Sequence, residues 1–292
     1  MERPGTVAIV GVGLIGGSIG LALRAKGGAS RVVGIGRDVA RLEEARRLGA
    51  VDAFTTDLAG GMAGADVAVV CTPVSRLAED VLASARLGPD SLLVTDAGST
   101  KARIVEGVEA DPRGRAVFVG AHPIAGSERQ GVAHARADLF EGRACVLTPT
   151  PRTPPDRLDR ARAFWSGLGC RTVEVDPLGH DEQLALTSHL PHAVAAALAA
   201  SIPSKLLPLA AGAYRDGTRV AASDPGLWAA IFRENWGPVL EALAEFEAQL
   251  AAFRAALEAD DEAGLLAWLE LARRRRTRFD PPAPADDGPV PV

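Results

Sequence analysis

Two short stretches hold the side chains with the greatest chemical reach. GAHPIAGSERQGV (120–132) ends a β-branched run in His122, set against the rigid ring of Pro123. An imidazole titrates near neutral pH and can act there as a base. TDAGSTK (95–101) gathers Asp96, Ser99, Thr100 and Lys101 into one loop. The plainer role for Ser99 or Thr100 is helix capping, which is compatible with catalysis because a capped loop is rigid. Both stretches follow strand-like runs, and open α/β sheets take their ligands outside the carboxyl ends of the strands. That rule brings His122 to the ligand crevice.

A third stretch says what else the crevice holds. GVGLIG (11–16) matches G-x-G-x-x-G and lies between an apolar run and a helical one. In that context Gly11 allows a tight turn, Gly13 lets the backbone approach a pyrophosphate, and Gly16 lets helix and strand touch. The amides of Leu14, Ile15 and Gly16, with the helix dipole, favour the phosphate charge. The ribose reader is ambiguous. GIGRD places Gly36 where an acid is usual, followed by Arg37, which suits a 2′-phosphate, and Asp38, which could hold a 2′-hydroxyl. NAD and NADP both stay open. VVCTPV (69–74) brings Cys71, Thr72 and Pro73 to another strand end, either lining the nicotinamide side or forming an ordinary strand-to-helix turn. Asp96 is counted with these cofactor-side residues.

These residues need a scaffold, and the pattern supplies one. TVAIVG (6–11), RVVGIG (31–36), DVAVVCTP (66–73), SLLVTDAGS (91–99), AVFVGAH (116–122), ACVLTPT (144–150) and RTVEVD (171–176) read as strands, with helical spacing between several of them. This predicts an α/β fold with an N-terminal, doubly wound, parallel Rossmann-type sheet over 1–177. From 178 to 279 the chain is Ala- and Leu-rich and predicts an all-α domain. Leu240, Leu243, Phe246, Leu250, Phe253 and Leu257 form a heptad-like stripe, either packed within that domain or shared in a dimer. DPPAPADDGPVPV (280–292) predicts a disordered Pro-rich tail. The helical half also offers His189 and His192, and, in GTRVAASDPGLW (217–228), Arg219, Asp224 and Trp228. An Arg there could clamp a carboxylate or merely form a surface ion pair. A zinc site would need further ligands at suitable spacing, so no metal is expected.

With 292 residues and a hydrophobic fraction of 47%, the chain suits two domains with sizeable cores. A net charge of −5 with no dominant basic stretch argues against nucleic acid as a partner. Cys71, Cys145 and Cys170 fall in or beside apolar runs and read as buried free thiols. The chain opens directly into a strand, and no uninterrupted apolar stretch reaches membrane-spanning length, so a soluble cytoplasmic protein is expected.

Taken together, GVGLIGGSIGLALR, TDAGSTK, GAHPIAGSERQGV, LTPT, SHLPHAVAAAL and TRVAASDPGLW resemble, in order and over about residues 6–278, the prephenate dehydrogenase family, which includes arogenate and cyclohexadienyl dehydrogenases. The resemblance implies NAD(P)-dependent oxidative decarboxylation of prephenate to 4-hydroxyphenylpyruvate in tyrosine biosynthesis, with NAD the usual cofactor. It implies His122 as the base at the 4-hydroxyl, Ser99 as the group orienting it, and Arg219 on the substrate carboxylate. His192, Ser127 and Glu128 would line the pocket, with Trp228 and Asp216 near its entrance. The helical domain would dimerise. Ala213 and Tyr214 stand where the family often has GGGF, and Gly36 stands where it usually has an acid. Glu128 could favour the amine of arogenate, which keeps an arogenate-preferring enzyme as the alternative. A non-catalytic dinucleotide sensor is a remoter one. The chain is too short for a fused chorismate mutase or a regulatory domain, so any tyrosine inhibition would act at or near the active site.

Overall fold

The computed structural model describes residues 4–126 and 129–279. Ser127, Glu128 and the Pro-rich segment 280–292 lie outside the described residues, and so do the expectations attached to them.

Eight strands form one sheet: β1 (Thr6–Val10), β2 (Arg31–Ile35), β3 (Ala53–Thr55), β4 (Val67–Val70), β5 (Leu93–Asp96), β6 (Phe118–Pro123), β7 (Ala144–Thr148) and β8 (Arg171–Glu174), in the order β3-β2-β1-β4-β5-β6-β7-β8. Helices α1 (Leu14–Ala25), α2 (Val39–Arg47), α3 (Leu58–Met62), α4 (Val74–Leu87), α5 (Ala102–Glu109), α6 (Pro112–Val117) and α7 (Pro155–Gly167) accompany the strands. Successive strand residues point to opposite faces. Val7, Ile9, Val67 and Val69 therefore join α1, α2 and α7 in one core, while Ala8, Val10, Ala68 and Val70 join α4 and α5 in the other. This two-sided burial explains the unbroken apolar runs of β1 and β4.

The Rossmann-type class stands, with one correction to an all-parallel sheet. β6 and β7 pair antiparallel, with His122 opposite Val146. A parallel return needs a crossover, usually a helix. The described part of the β6–β7 connection carries only a short 3-10 turn, Val132–His134. Strand β3 and helix α3 were not expected. At three and five residues they are too short to show a periodicity.

The helical half begins with α8 (Pro177–Leu184), a π turn (Ala185–His189) and α9 (Leu190–Ser201) in one continuous run. By length and composition that run could cross a membrane, although charged and turn residues interrupt it. Here it carries buried His180, Asp181 and His189, all hydrogen-bonded within the fold. Then follow α10 (Gly212–Thr218), α11 (Pro225–Glu234), α12 (Trp236–Glu258) and α13 (Glu262–Phe279). The chain divides into two compact units, Met1–Val239 and Leu240–Val292. In the second, Phe253 packs on Trp268, while Leu240, Leu250 and Leu257 of the heptad-like stripe are exposed.

Candidate active site

The glycine-rich turn is built as its spacing requires. Gly11 adopts φ +91°, and a Cβ there would lie 2.9 Å from the Cys71 carbonyl group. A Cβ at Gly16 would lie 2.3 Å from the Gly11 oxygen, which fixes how closely α1 meets β1. Gly13 caps α1 without a side-chain bond, and no described atom comes within 4 Å of where its Cβ would be. Leu14 and Ile15 form the half-buried first turn. Alongside, Cys71 and Thr72 follow β4, and Pro73 caps α4. Burial and the nearby Asp96 push the Cys71 thiol well above its ordinary range. The buried Thr72 hydroxyl has no partner among the described residues. Open space over Gly13, a bare helix N-terminus and an unpartnered hydroxyl fit a dinucleotide. At the ribose end, Arg37 is exposed beside Gly36. Asp38 is occupied, accepting the Arg41 amide at 3.2 Å and pairing with its guanidinium.

Asp96 is placed differently from expectation. It has no exposed surface, and its oxygens accept the Gly98 amide (2.8 Å), the Ala121 amide (2.9 Å) and the Lys101 ammonium. A carboxylate so enclosed cannot touch a cofactor in this conformation; it ties the loop after β5 to β6. Neither Ser99 nor Thr100 caps α5. That role falls to Asp181, which accepts the amides of Lys101 (2.7 Å) and Ala102 (2.8 Å). Ser99 is left half-buried in the loop.

His122 stands at the carboxyl end of β6, next to that loop. Its Nδ1 lies 2.9 Å from His180 Nε2, and His180 Nδ1 lies 2.7 Å from Asp181 Oδ1. Burial first, then the neighbouring His180, Lys101 and His189, hold His122 well below the usual imidazole range. Burial also lowers His180, against the opposing bond from Asp181. The network continues through Asn235, whose amide bonds the Asp181 carbonyl (2.7 Å) and His189 Nδ1 (3.0 Å). His192 donates Nδ1–H to the Ser188 carbonyl (3.0 Å) and stacks on Trp228 at 3.5 Å, while His189 meets the same indole edge-on. Burial lowers His192, and Arg219, near enough to act on it, adds to that. Arg219 itself is exposed, in a 3-10 turn. Asp216 is exposed on α10, and no described bond joins it to this network.

Contacts thus run from His122 through His180, Asp181, Asn235 and His189 to Trp228 and His192, with Arg219 acting on His192, while Cys71 and Thr72 lie against Gly11 of the glycine turn. His180, Asp181 and Asn235 were missed. The only hint was an ionisable pair, His-Asp, just inside a Pro-started helix. Among the described residues, no group of three His, Cys, Asp or Glu side chains could hold a metal ion.

A dinucleotide cradle after β1 of an open α/β sheet, with an imidazole kept towards its neutral form at the carboxyl end of β6, three strands along, provides for hydride transfer with proton acceptance. The protein is an NAD(P)-dependent oxidoreductase. The prephenate dehydrogenase nucleotide-binding domain model matches residues 19–174, and the dimerization domain model matches 176–271. The chain belongs to the prephenate dehydrogenase family. It is 33% identical to the prephenate dehydrogenase of Bacillus subtilis over 93% of this chain and 75% of that one. It is 31% identical to the cyclohexadienyl dehydrogenase of Zymomonas mobilis over 92% and 94%. The crystal structure of Aquifex aeolicus prephenate dehydrogenase in complex with hydroxyphenyl propionate and NAD+ superposes with a TM-score of 0.89, at 32% identity, over 96% of this chain and 99% of that one.

Proposed function

We propose that the protein oxidises prephenate to 4-hydroxyphenylpyruvate with loss of CO2, using NAD(P), as a soluble cytoplasmic homodimer joined through its helical half. The observation that carries this reading is His122 at the carboxyl end of β6, pushed towards its neutral form by burial, with one ring nitrogen engaged by His180 and no bond to the other among the described residues. A bound nicotinamide supplies the hydride acceptor. His122 Nε2 accepts the hydrogen bond of the 4-hydroxyl and draws its proton as C4 gives up hydride. The C1–carboxylate bond then breaks, its electron pair enters the ring, CO2 leaves, and the proton returns to the phenolic oxygen. Ser99 orients His122 and the hydroxyl, and Arg219 pairs with a substrate carboxylate beside His192 and Trp228. A guanidinium suits that task through its planar pair of donors. The exposed leucines of the α12 stripe support self-association.

For the cofactor, Asp38 is engaged with Arg41 while Arg37 stands exposed beside Gly36. This arrangement favours acceptance of NADP as well as NAD. The likeness to a cyclohexadienyl dehydrogenase supports a second reading, in which arogenate is the preferred substrate. Reduced-nicotinamide absorbance with prephenate and with arogenate, in wild type and His122→Asn, tests both. Turnover with prephenate and a fall of at least about 10²-fold in the variant, with cofactor binding intact, are expected. Undiminished turnover in His122→Asn refutes the assignment of the base. A higher kcat/KM for arogenate selects the second reading.

A further inference from the structure

The bond directions around His122 can be worked out from one end of the chain of contacts. Asp181 accepts the amides of Lys101 and Ala102, so it acts there as a carboxylate. A carboxylate only accepts, so His180 must donate Nδ1–H to Asp181 Oδ1 across 2.7 Å. A neutral His180 then has a bare Nε2, with a lone pair facing His122 Nδ1 at 2.9 Å. His122 Nδ1 must therefore carry the hydrogen, and the lone pair of His122 sits on Nε2. The reverse arrangement would put hydrogen on Nε2 and make His122 a donor.

We propose that His180 and Asp181 are a positioning pair that fixes His122 in the Nδ1–H tautomer, so that Nε2 is the accepting atom of the reaction. This deepens the reading of His122 as the hydroxyl acceptor and rests on it. Neither residue of the pair need touch the substrate: His180 has no exposed surface and Asp181 almost none. When His122 takes on positive charge, its Nδ1–H bond to His180 strengthens, and the carboxylate beyond compensates the charge without becoming protonated. The other charged or titratable groups acting on His122 are Lys101, whose ammonium is held by Asp96, and His189, held by Asn235. Asp181 also caps α5 directly after the Ser99 loop, so one carboxylate sets both the orientation of the base and the position of the loop.

The test reads the tautomer directly and needs no substrate. In 15N-histidine-labelled protein with five histidines, the His122 signals are identified by their loss in His122→Asn. Wild type should show protonated Nδ1 and bare Nε2. In Asp181→Asn the carboxamide can donate to His180 Nδ1, which reverses the chain and moves the hydrogen of His122 to Nε2. Its kcat should fall by about 10²–10⁴-fold, the size of effect a wrong tautomer has in a hydrolase triad, with KM for substrate within about threefold. Because Asp181→Asn also weakens the α5 cap, a second pair leaves that cap intact. His180→Leu should lose kcat, and His180→Gln should regain at least about tenfold of it, since a carboxamide can donate to Asp181 and accept from His122. An Nε2–H tautomer in the wild-type chain, or native kcat in His180→Leu, overturns the proposal. The expected tautomer in a protein that turns over neither prephenate nor arogenate supports the proposal and refutes the substrate reading instead.

Discussion

Lys101→Met removes one member of an ion pair that has no exposure to solvent at either side chain. Asp96 would keep only two bonds, from the Gly98 and Ala121 amides. Breaking a buried pair by deleting one partner costs about 3–5 kcal/mol, because the remaining charge is left without compensation. The two surviving amide bonds place the loss near the lower figure, about 3 kcal/mol. With a urea dependence of about 3 kcal/mol per molar, the midpoint for the sheet unit should fall by roughly 1 M, as read by circular dichroism. Asp96→Asn added to Lys101→Met removes the stranded charge and should restore part of that loss. Turnover should drop in the single variant as well, since Asp96 binds the amide just before His122. A midpoint shift under about 0.3 M, or a double variant less stable than Lys101→Met, would refute the account of Asp96 as a charge held by Lys101.

Two further outcomes follow from the site. His189 is lowered by burial to about 4, below its ordinary 6.5, so the folded state favours the neutral ring. Its contribution to stability should be complete above about pH 6.5 and should be lost as pH falls towards 4. Urea midpoints at pH 7.5 and 5 should therefore differ less in His189→Asn than in wild type, and an equal difference would exclude His189 as a source. Arg37→Ser should lower kcat/KM for NADP by about 10-fold or more, the worth of a charge-assisted bond, and leave the value for NAD within twofold. Equal loss with both cofactors would show that Arg37 does not read the 2′-position.

How much of this could be read from the sequence varies with the distance over which each feature is determined. The glycine turn is local: Gly11, Gly13 and Gly16 declare themselves because strand, turn and helix follow at fixed spacing. The alternate burial of Val7, Ala8, Ile9 and Val10 was equally readable as a strand covered on both faces. The direction of β7 was not, since ACVLT has the same pattern whichever way it runs. Nor was the support of His122 legible. His180 lies 58 residues further along the chain, and the carboxylate that caps Lys101 lies 80 residues away. Nothing in the tetrapeptide GHDE indicates either partner. Asp96 shows the converse error: a strand-end acid looks like a ligand-facing group until its burial beside Lys101 is seen.

The π turn at Ala185–His189 bears on how the gene can change. It accommodates one residue more than an α-helical turn would, between His180, which contacts His122, and His192, which stacks on Trp228. Deleting a single codon there could let the segment relax into regular α-helix, and everything beyond would then rotate by roughly 100° relative to His180. His192 would leave the indole while most of the protein folded as before. The span from 180 to 192 is therefore fixed in length as well as in residue type, so substitutions can be sampled there one at a time but insertions and deletions cannot.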